Sequence, residues 1–210
     1  KSIELLTDPN KKKPWQENTD NRAMRLKNAT LGLVGVGRIG SSVALKMKNI
    51  VGNICFFDPD VATGYEKVLG ATRYDSLDQL LTNSDIVSVH APLSLSTNGI
   101  IDDSFVENMK HGSILVNTAR GGILKSHACL YKGLLSGKLA GVGLDVLPTE
   151  PPVLSVEDKF LSTFVEHTKN FRGRIIINPH TAYFSIESYK EMRQKAAISA
   201  LNALSNNQSS

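Results

Sequence analysis

From residue 29 onward, short apolar runs alternate with segments whose apolar residues recur at a helical period. The runs are rich in Val, Ile and Leu, which is typical of strands buried on both faces. Helical segments between such strands are crossover connections, so the sequence predicts an α/β fold: a doubly wound parallel sheet. The predicted strands are Thr30–Val34, Asn53–Phe57, Thr72–Tyr74, Ile86–His90, Ser113–Asn117, Leu139–Leu144 and Arg174–Ile177.

The helical periods divide the chain into three parts. Residues 1–29 are polar and aperiodic, which predicts a linker or arm; residues 30–184 form the predicted domain, and residues 185–210 a C-terminal helix and tail. The predicted helices are Gly37–Met47, Val61–Leu69, Ser76–Thr82, Asp103–Met109, Ser126–Gly137 and Ser185–Leu204. Ser76 and Ser126 precede two of them as expected N-caps.

A glycine-rich turn joins the first predicted strand to the first predicted helix. In the sequence G-V-G-R-I-G, Gly35 permits the tight turn, Gly37 lets a pyrophosphate approach the backbone, and Gly40 lets the helix pack on the strand. A helix N-terminus favours negative charge. This strand–turn–helix context predicts a Rossmann-type dinucleotide site, with Arg38 and Ile39 also beside the cofactor.

An acid follows the second predicted strand. Asp58 comes after Gly40 at close to the roughly 20-residue spacing expected of a carboxylate that binds the adenine ribose. Such a carboxylate accepts both ribose hydroxyls and repels a 2′-phosphate, so the sequence predicts NAD rather than NADP. The structural alternative is that Asp58-Pro59 only initiates a turn.

Composition bounds the class of protein. The chain has 210 residues and 41% apolar content, enough for one large globular domain. It contains no apolar run of about 18 residues, and its start lacks the apolar stretch of a secretory signal, so no membrane association is predicted. Because the chain begins at Lys1 rather than Met, we expect it to be part of a longer protein.

Charge and cysteine usage narrow the partners. The net charge is +4, to which Lys11, Lys12 and Lys13 contribute; without interleaved Arg or aromatic residues this triplet predicts a solvated linker rather than a nucleic-acid patch. Cys55 and Cys129 lack motif spacing, so we expect core thiols of an intracellular protein and no metal site.

Polar side chains cluster where predicted strands end, which is where ligands bind in an open parallel sheet. His90-Ala91-Pro92-Leu93, Asn117-Thr118-Ala119-Arg120, Asp145 and Asn178-Pro179-His180 each follow a strand, and Glu150-Pro151-Pro152 lies shortly after Asp145. Through G-V-G-R-I-G, F-D-P, H-A-P-L, V-N-T-A-R-G-G, G-L-D-V-L-P-T-E-P-P and N-P-H-T-A, the chain resembles the D-isomer-specific 2-hydroxyacid dehydrogenases from residue 30 to about residue 200. The sequence around E-M-R-Q-K-A-A is most similar to that of the C-terminal-binding-protein branch of this family.

Resemblance and chemistry agree on three catalytic residues. Hydride transfer to a 2-keto acid needs a cation to hold the substrate, and the Arg120 guanidinium offers a planar fork. It also needs a proton donor, which the resemblance places at His180, with Glu150 binding the other imidazole nitrogen. The non-functional alternatives are that Arg120 lies in a surface turn, that His180 is an ordinary loop histidine and that Glu150 is a solvated surface charge.

The resemblance also implies further cofactor contacts. Asp145 resembles the family's contact to the nicotinamide amide, and His90 and Pro92 are expected on the adenine side of the cleft. Thr97, Thr118, Ala119, Arg120 and His180 complete the predicted set. The connection from Glu150 to His180 is longer than the family's usual one, and near Val156 to Asn170 we expect a short helix or a loop.

The sequence therefore predicts the NAD(H)-binding domain of a cytoplasmic oxidoreductase acting on small D-2-hydroxy acids, with most of the substrate domain absent. The alternative is an NAD(H)-sensing nuclear corepressor scaffold that kept the same fold. The resemblance also implies a homodimer, with the helix after Gly121-Gly122 or the arm around Trp15 as candidate contacts.

Overall fold

The structure, a computed structural model, describes residues 24–152, 158–165, 171 and 173–206. One sheet of seven parallel strands has the order β3-β2-β1-β4-β5-β6-β7, which confirms the predicted Rossmann-type α/β fold. The strands are β1 (Thr30–Val34), β2 (Asn53–Phe57), β3 (Thr72–Arg73), β4 (Ile86–Val89), β5 (Ser113–Asn117), β6 (Leu139–Leu144) and β7 (Ile175–Ile177).

Helices connect the successive strands. The α-helices are α1 (Arg38–Met47), α2 (Tyr65–Leu69), α3 (Leu77–Asn83), α4 (Asp103–Asn108), α5 (His127–Ser136), α6 (Lys159–Val165) and α7 (Ile186–Asn206), and 3-10 turns occupy Leu26–Asn28 and Gly121–Ile123. The two serines expected as N-caps are used: Ser76 Oγ accepts from Gln79 N at 3.2 Å and Ser126 Oγ from Ala128 N at 3.1 Å. These side-chain caps satisfy N–H groups that have no partner inside the helix.

The sheet separates two apolar layers, because alternate side chains of a strand point to opposite faces. On β1, Leu31 and Leu33 belong to the smaller layer, which also contains Ala44 of α1. Gly32 faces the other way, and a Cβ there would lie 2.1 Å from Ser84 Oγ at the end of α3. The larger layer packs α3, α4, α5 and α6 on the sheet and includes Leu80, Phe105, Leu130, Phe160, Leu115 and Val142.

The direction of winding reverses at β1, which lies between β2 and β4. In a doubly wound sheet this switch point opens a crevice at the carboxyl ends of the strands. Backbone hydrogen bonds continue past the strands there: Gly35 N donates to Phe57 O at 2.9 Å and His90 N to Val34 O at 2.8 Å. The segments that follow β1, β2 and β4 therefore leave the sheet side by side.

Two C-terminal segments add to the expected pattern. In the long connection the structure forms α6, whose Leu161 N–H donates to Asp158 Oδ1 at 3.0 Å, and Phe160 and Leu161 are buried in the larger layer. Helix α7 ends at Asn206, slightly beyond the predicted Leu204. Trp15 and the rest of residues 1–23 lie outside the described residues. Among the helices of the described part, none has the length and apolar character needed to cross a membrane.

Candidate NAD-binding and catalytic site

The glycine-rich turn after β1 has one glycine for each of three steric demands. Gly35 has φ 88°, in the left-handed region that favours glycine, and a Cβ there would lie 2.8 Å from Ala91 N. A Cβ on Gly40 would lie 2.1 Å from Gly35 O, so α1 packs against the turn only without a side chain. At Gly37 an added Cβ meets nothing within 4 Å. Of the three glycines in this turn, Gly37 alone faces open space, where a bound group can approach the backbone.

Helix α1 starts directly behind this open space. Gly37, Arg38 and Ile39 are exposed, whereas Gly40 and Val36 are buried. The first-turn N–H groups of a helix have no partner within it and carry the positive end of its dipole. The turn therefore fits a pyrophosphate, which would be held by backbone N–H groups with Arg38 and Ile39 at its edge.

Asp58 lies beside this turn, as its position after β2 predicts. Its Oδ2 accepts from Val36 N at 2.8 Å and its Oδ1 from Asp60 N at 3.0 Å, and the residue is half-buried. Each carboxylate oxygen has a second lone pair, so two backbone bonds leave capacity for ribose hydroxyls. The carboxylate thus borders the nucleotide crevice and also fixes the backbone of the glycine-rich turn.

The segment after β4 forms the neighbouring wall. His90 Nε2 lies 2.9 Å from Ser88 Oγ, and burial lowers the pKa of His90, which favours the neutral ring. Thr97 Oγ1 donates to Pro92 O at 2.5 Å and accepts from Ser94 N at 2.8 Å. The Thr97 hydroxyl is thus used to hold its own loop, a role that its sequence position did not reveal.

Asn117 shapes the segment that carries Arg120. The buried Asn117 side chain accepts from Ala119 N at 3.0 Å and donates from Nδ2 to Arg120 O at 3.1 Å. Thr118 and Ala119 are half-buried, and Arg120 is exposed with Nη1 donating to Ala119 O at 2.6 Å. The sequence places Asn117 in the motif V-N-T-A-R-G-G, but no local signal shows that its side chain bridges this turn.

Glu150 and His180 meet although they are far apart in the sequence. Glu150 Oε2 lies 2.7 Å from His180 Nδ1, and Glu150 Oε1 accepts from Leu147 N at 2.8 Å. Burial raises the pKa of the Glu150 carboxyl, but the bond from Leu147 N–H and the contacts with His180 and Arg120 outweigh it and lower that pKa. The side chains are 36% and 42% exposed, so the pair lies at the open edge of the domain.

Asp145 holds the turn that presents His180. Asp145 is 4% exposed, its backbone O accepts from His180 N at 2.8 Å, and its carboxylate accepts from Thr181 N and Ala182 N at 3.0 Å. His180 has φ 53°, a left-handed conformation that is uncommon for a non-glycine residue. These bonds stabilise that conformation, so Asp145 positions the imidazole in addition to its predicted nicotinamide contact.

A second concave region lies away from these residues. A cavity of about 750 Å³ is lined by residues of α5, the loop after Leu147 and the start of α6, and none of the predicted site residues lines it. At its edge His127 Nδ1 lies 2.6 Å from Asp158 Oδ2, and His127 stacks on Phe160 with ring centroids 5.2 Å apart. These contacts attach α6 to α5.

Within the described ranges, no group of His, Cys, Asp and Glu side chains is arranged to hold a metal ion.

The switch-point crevice, the glycine-rich turn and the acid after β2 together define a dinucleotide-binding domain of the Rossmann type. A family model described as the NAD-binding domain of D-isomer-specific 2-hydroxyacid dehydrogenases matches residues 1–182. The chain therefore belongs to this family, and NAD is its cofactor. The resemblance inferred from the strand-end motifs is thus confirmed.

Individual relatives agree with this assignment. The chain is 37% identical over 173 residues to a glyoxylate reductase of Korarchaeum cryptofilum, covering 80% of this chain and 47% of that protein. It is 34% identical over 180 residues to a glyoxylate reductase of Thermofilum pendens, covering 85% and 49%. The chain spans about half the length of these curated relatives.

Solved structures give the same result. The D-lactate dehydrogenase of Aquifex aeolicus, complexed with NAD and lactic acid, superimposes with a TM-score of 0.75 at 30% identity, over 99% of this chain and 62% of that one. Holo D-mandelate dehydrogenase of Rhodotorula graminis gives a TM-score of 0.70 at 36% identity, over 82% and 47%. These relatives are named as enzymes and lend no support to the corepressor alternative.

Proposed function

We propose that this chain is the NAD(H)-binding part of an oxidoreductase that interconverts small 2-keto acids and D-2-hydroxy acids. The observation that carries the proposal is the Glu150–His180 pair, 2.7 Å apart, on the carboxyl edge that also presents Arg120. NAD(H), when bound, supplies or accepts the hydride. We also propose that Asp58 makes NAD the preferred form over NADP.

His180 is the proposed acid and base. Its Nδ1 is engaged by Glu150, so Nε2 remains to protonate the carbonyl oxygen of a keto acid or to accept a proton from the hydroxyl of the product. Glu150 fixes the orientation of the ring. The Leu147 N–H holds the second Glu150 oxygen and thereby sets the direction of the carboxylate.

Arg120 is the proposed substrate-binding cation. Its exposed guanidinium is held at the edge by the Asn117 bridge and can form charge-assisted bonds to a carboxylate. Because Arg120 binds both the ground state and the transition state, Arg120→Ala should raise KM as well as lower kcat. An Arg120→Ala variant with an unchanged KM would contradict this role.

The proposal also covers the oligomeric state and the cellular compartment of the protein. We propose a homodimer in which α5, the helix after Gly121-Gly122, contributes to the contact, and light scattering at micromolar concentration tests it. A monomer would contradict the proposal. The buried free thiols of Cys55 and Cys129 agree with a reducing compartment, and we propose the cytoplasm.

The test of the activity is an assay of the intact protein with NADH and glyoxylate, pyruvate or hydroxypyruvate. The proposal predicts NADH oxidation, and for substrates with a chiral product it predicts the D-hydroxy acid. Absence of turnover with the intact protein, despite saturable NADH binding, would reject the enzyme and leave a nucleotide-binding scaffold.

A further inference from the structure

Ser41 and Tyr65 form a chain of hydroxyl groups that ends on the backbone of the glycine-rich turn. Ser41 Oγ lies 2.5 Å from Val36 O and 2.7 Å from Gly37 O, and Tyr65 Oη lies 2.9 Å from Ser41 Oγ. Tyr65 opens α2, in the second strand–helix unit, whereas Ser41 lies in α1. The chain therefore connects the turn to a helix outside its own strand–turn–helix unit.

The direction of these bonds follows from the atoms involved. A carbonyl oxygen can only accept, so the single hydrogen of Ser41 is directed at the carbonyls of Val36 and Gly37. Tyr65 O–H must then be the donor to Ser41 Oγ. An accepted hydrogen bond polarises a hydroxyl and strengthens the bond that it donates, so Tyr65 acts on the turn through Ser41.

The backbone of Val36 is thereby held at both ends. Its N–H donates to Asp58 Oδ2 at 2.8 Å, its C=O accepts from Ser41, and the residue is 0% exposed. A trans peptide is planar, with its C=O and N–H on opposite sides. Fixing the Val36 carbonyl therefore fixes the Gly37 N–H in the opposite direction, and the Gly37 carbonyl does the same for Arg38 N–H.

We propose that Tyr65 and Ser41 are positioning residues for the dinucleotide: they orient the Gly37 and Arg38 N–H groups that bind its pyrophosphate. The open space at Gly37, where an added Cβ meets nothing within 4 Å, is the place where such a group fits. Neither hydroxyl needs to touch the cofactor. The effect of each is transmitted through the backbone of the turn, and it acts on phosphate-containing ligands.

The test is calorimetric titration of the 210-residue chain with NADH, ADP-ribose and adenosine. Tyr65→Phe removes one hydroxyl and should raise the Kd of NADH and of ADP-ribose about three- to tenfold, the value of one hydrogen bond. Adenosine lacks the pyrophosphate, so its Kd should not change. Tyr131→Phe is the matched control, because the half-buried Tyr131 contacts Phe171 through its ring rather than through its hydroxyl.

A double-mutant cycle separates the relay from direct contact. Because Tyr65 acts only through Ser41, the Ser41→Ala variant should lose at least as much affinity, and adding Tyr65→Phe to it should cause no further loss. An unchanged NADH Kd in Tyr65→Phe would overturn the proposal. An equal loss for adenosine would also overturn it, because Tyr65 would then act on the nucleoside. Additive effects in the double variant would overturn it as well, because Tyr65 would then act independently of Ser41.

Discussion

The two halves of the carboxyl edge are built differently. The nucleotide half, formed by the glycine-rich turn and Asp58, is fixed by contacts within the chain, and Val36 at its centre is 0% exposed. The proposed substrate half, formed by Arg120, Glu150 and His180, presents side chains that are exposed or nearly half exposed. In the proposed function, cofactor binding thus depends on preformed backbone groups, whereas the chemistry depends on side chains at an open edge.

This difference has a physical cause. Backbone N–H groups bind a pyrophosphate in fixed directions, so they can be placed once by folding. Electrostatic interactions between side chains are weaker in water, because their energy decreases as the dielectric constant rises. Hydride transfer also needs a cleft from which water is excluded. The substrate half therefore requires a second wall, and this chain spans about half the length of its curated relatives.

Replacement of His180 should change catalysis far more than cofactor binding, and this is the greatest change that we expect from a single substitution. In the intact protein, His180→Ala removes the proposed proton donor and should lower kcat for keto-acid reduction about 10²- to 10⁴-fold. NADH affinity should be nearly unchanged, because the proton donor acts on the substrate rather than on the dinucleotide. Steady-state kinetics and NADH titration measure the two quantities, with the exposed His111→Ala as control. A large loss of NADH affinity would show that the halves are not separate.

Substitutions at Gly40 and Gly37 should have different effects on stability and on NADH binding. In Gly40→Ala the new Cβ collides with Gly35 O, so the free energy of unfolding should fall by about 1–3 kcal/mol and NADH binding should be lost. In Gly37→Ala the Cβ enters the open space, so stability should be unchanged while the Kd rises about tenfold. Thermal unfolding and titration compare the two variants. Equal destabilisation of both would contradict the assignment of Gly37 to the open cradle.

Asp145 tests how firmly the substrate half is attached to the buried sheet. Asp145→Asn puts an amide where two backbone N–H groups need acceptors, which costs about 1–3 kcal/mol. The His180 turn should relax, and kcat in the intact protein should fall about tenfold. Carbon-13 NMR of the Glu150 carboxyl should show its pKa rising toward the ordinary value, because the contact with His180 is lost. A loss of NADH affinity with an unchanged Glu150 pKa would instead assign Asp145 to the cofactor alone.

The sequence identifies the elements that depend on local pattern. The seven strands were predicted from apolar runs, and the turn with Gly35, Gly37 and Gly40 from spacing, because sterics within the chain require glycine at Gly35 and Gly40 and the space at Gly37 is left open for a bound group. The extent of α6 was not predictable, because its burial depends on packing against α5 rather than on a local signal. The bridge made by Asn117 could not be predicted either, since it depends on how a turn folds back in space.

The smallest expected effect concerns pH. The Glu150 pKa is lowered in the folded domain, so its contacts contribute stability above the ordinary carboxyl pKa of 4.5, and this is lost as the pH falls through the lower folded value. At such an exposed site the contribution should stay below about 1 kcal/mol. Chemical denaturation of wild type and Glu150→Gln should show a difference at neutral pH that vanishes in acid, while the exposed Glu107→Gln serves as control. A difference independent of pH would contradict the ionic origin.

An NAD site formed by the residues of this chain is tested by calorimetric titration of the 210-residue chain with NADH and with NADPH. We expect saturable binding of NADH, at least about tenfold tighter than that of NADPH, because Asp58 accepts ribose hydroxyls and repels a 2′-phosphate. Asp58→Ala should reduce the ratio of the NADPH Kd to the NADH Kd. Equal affinity for the two nucleotides, or no saturable binding of NADH, would contradict the account.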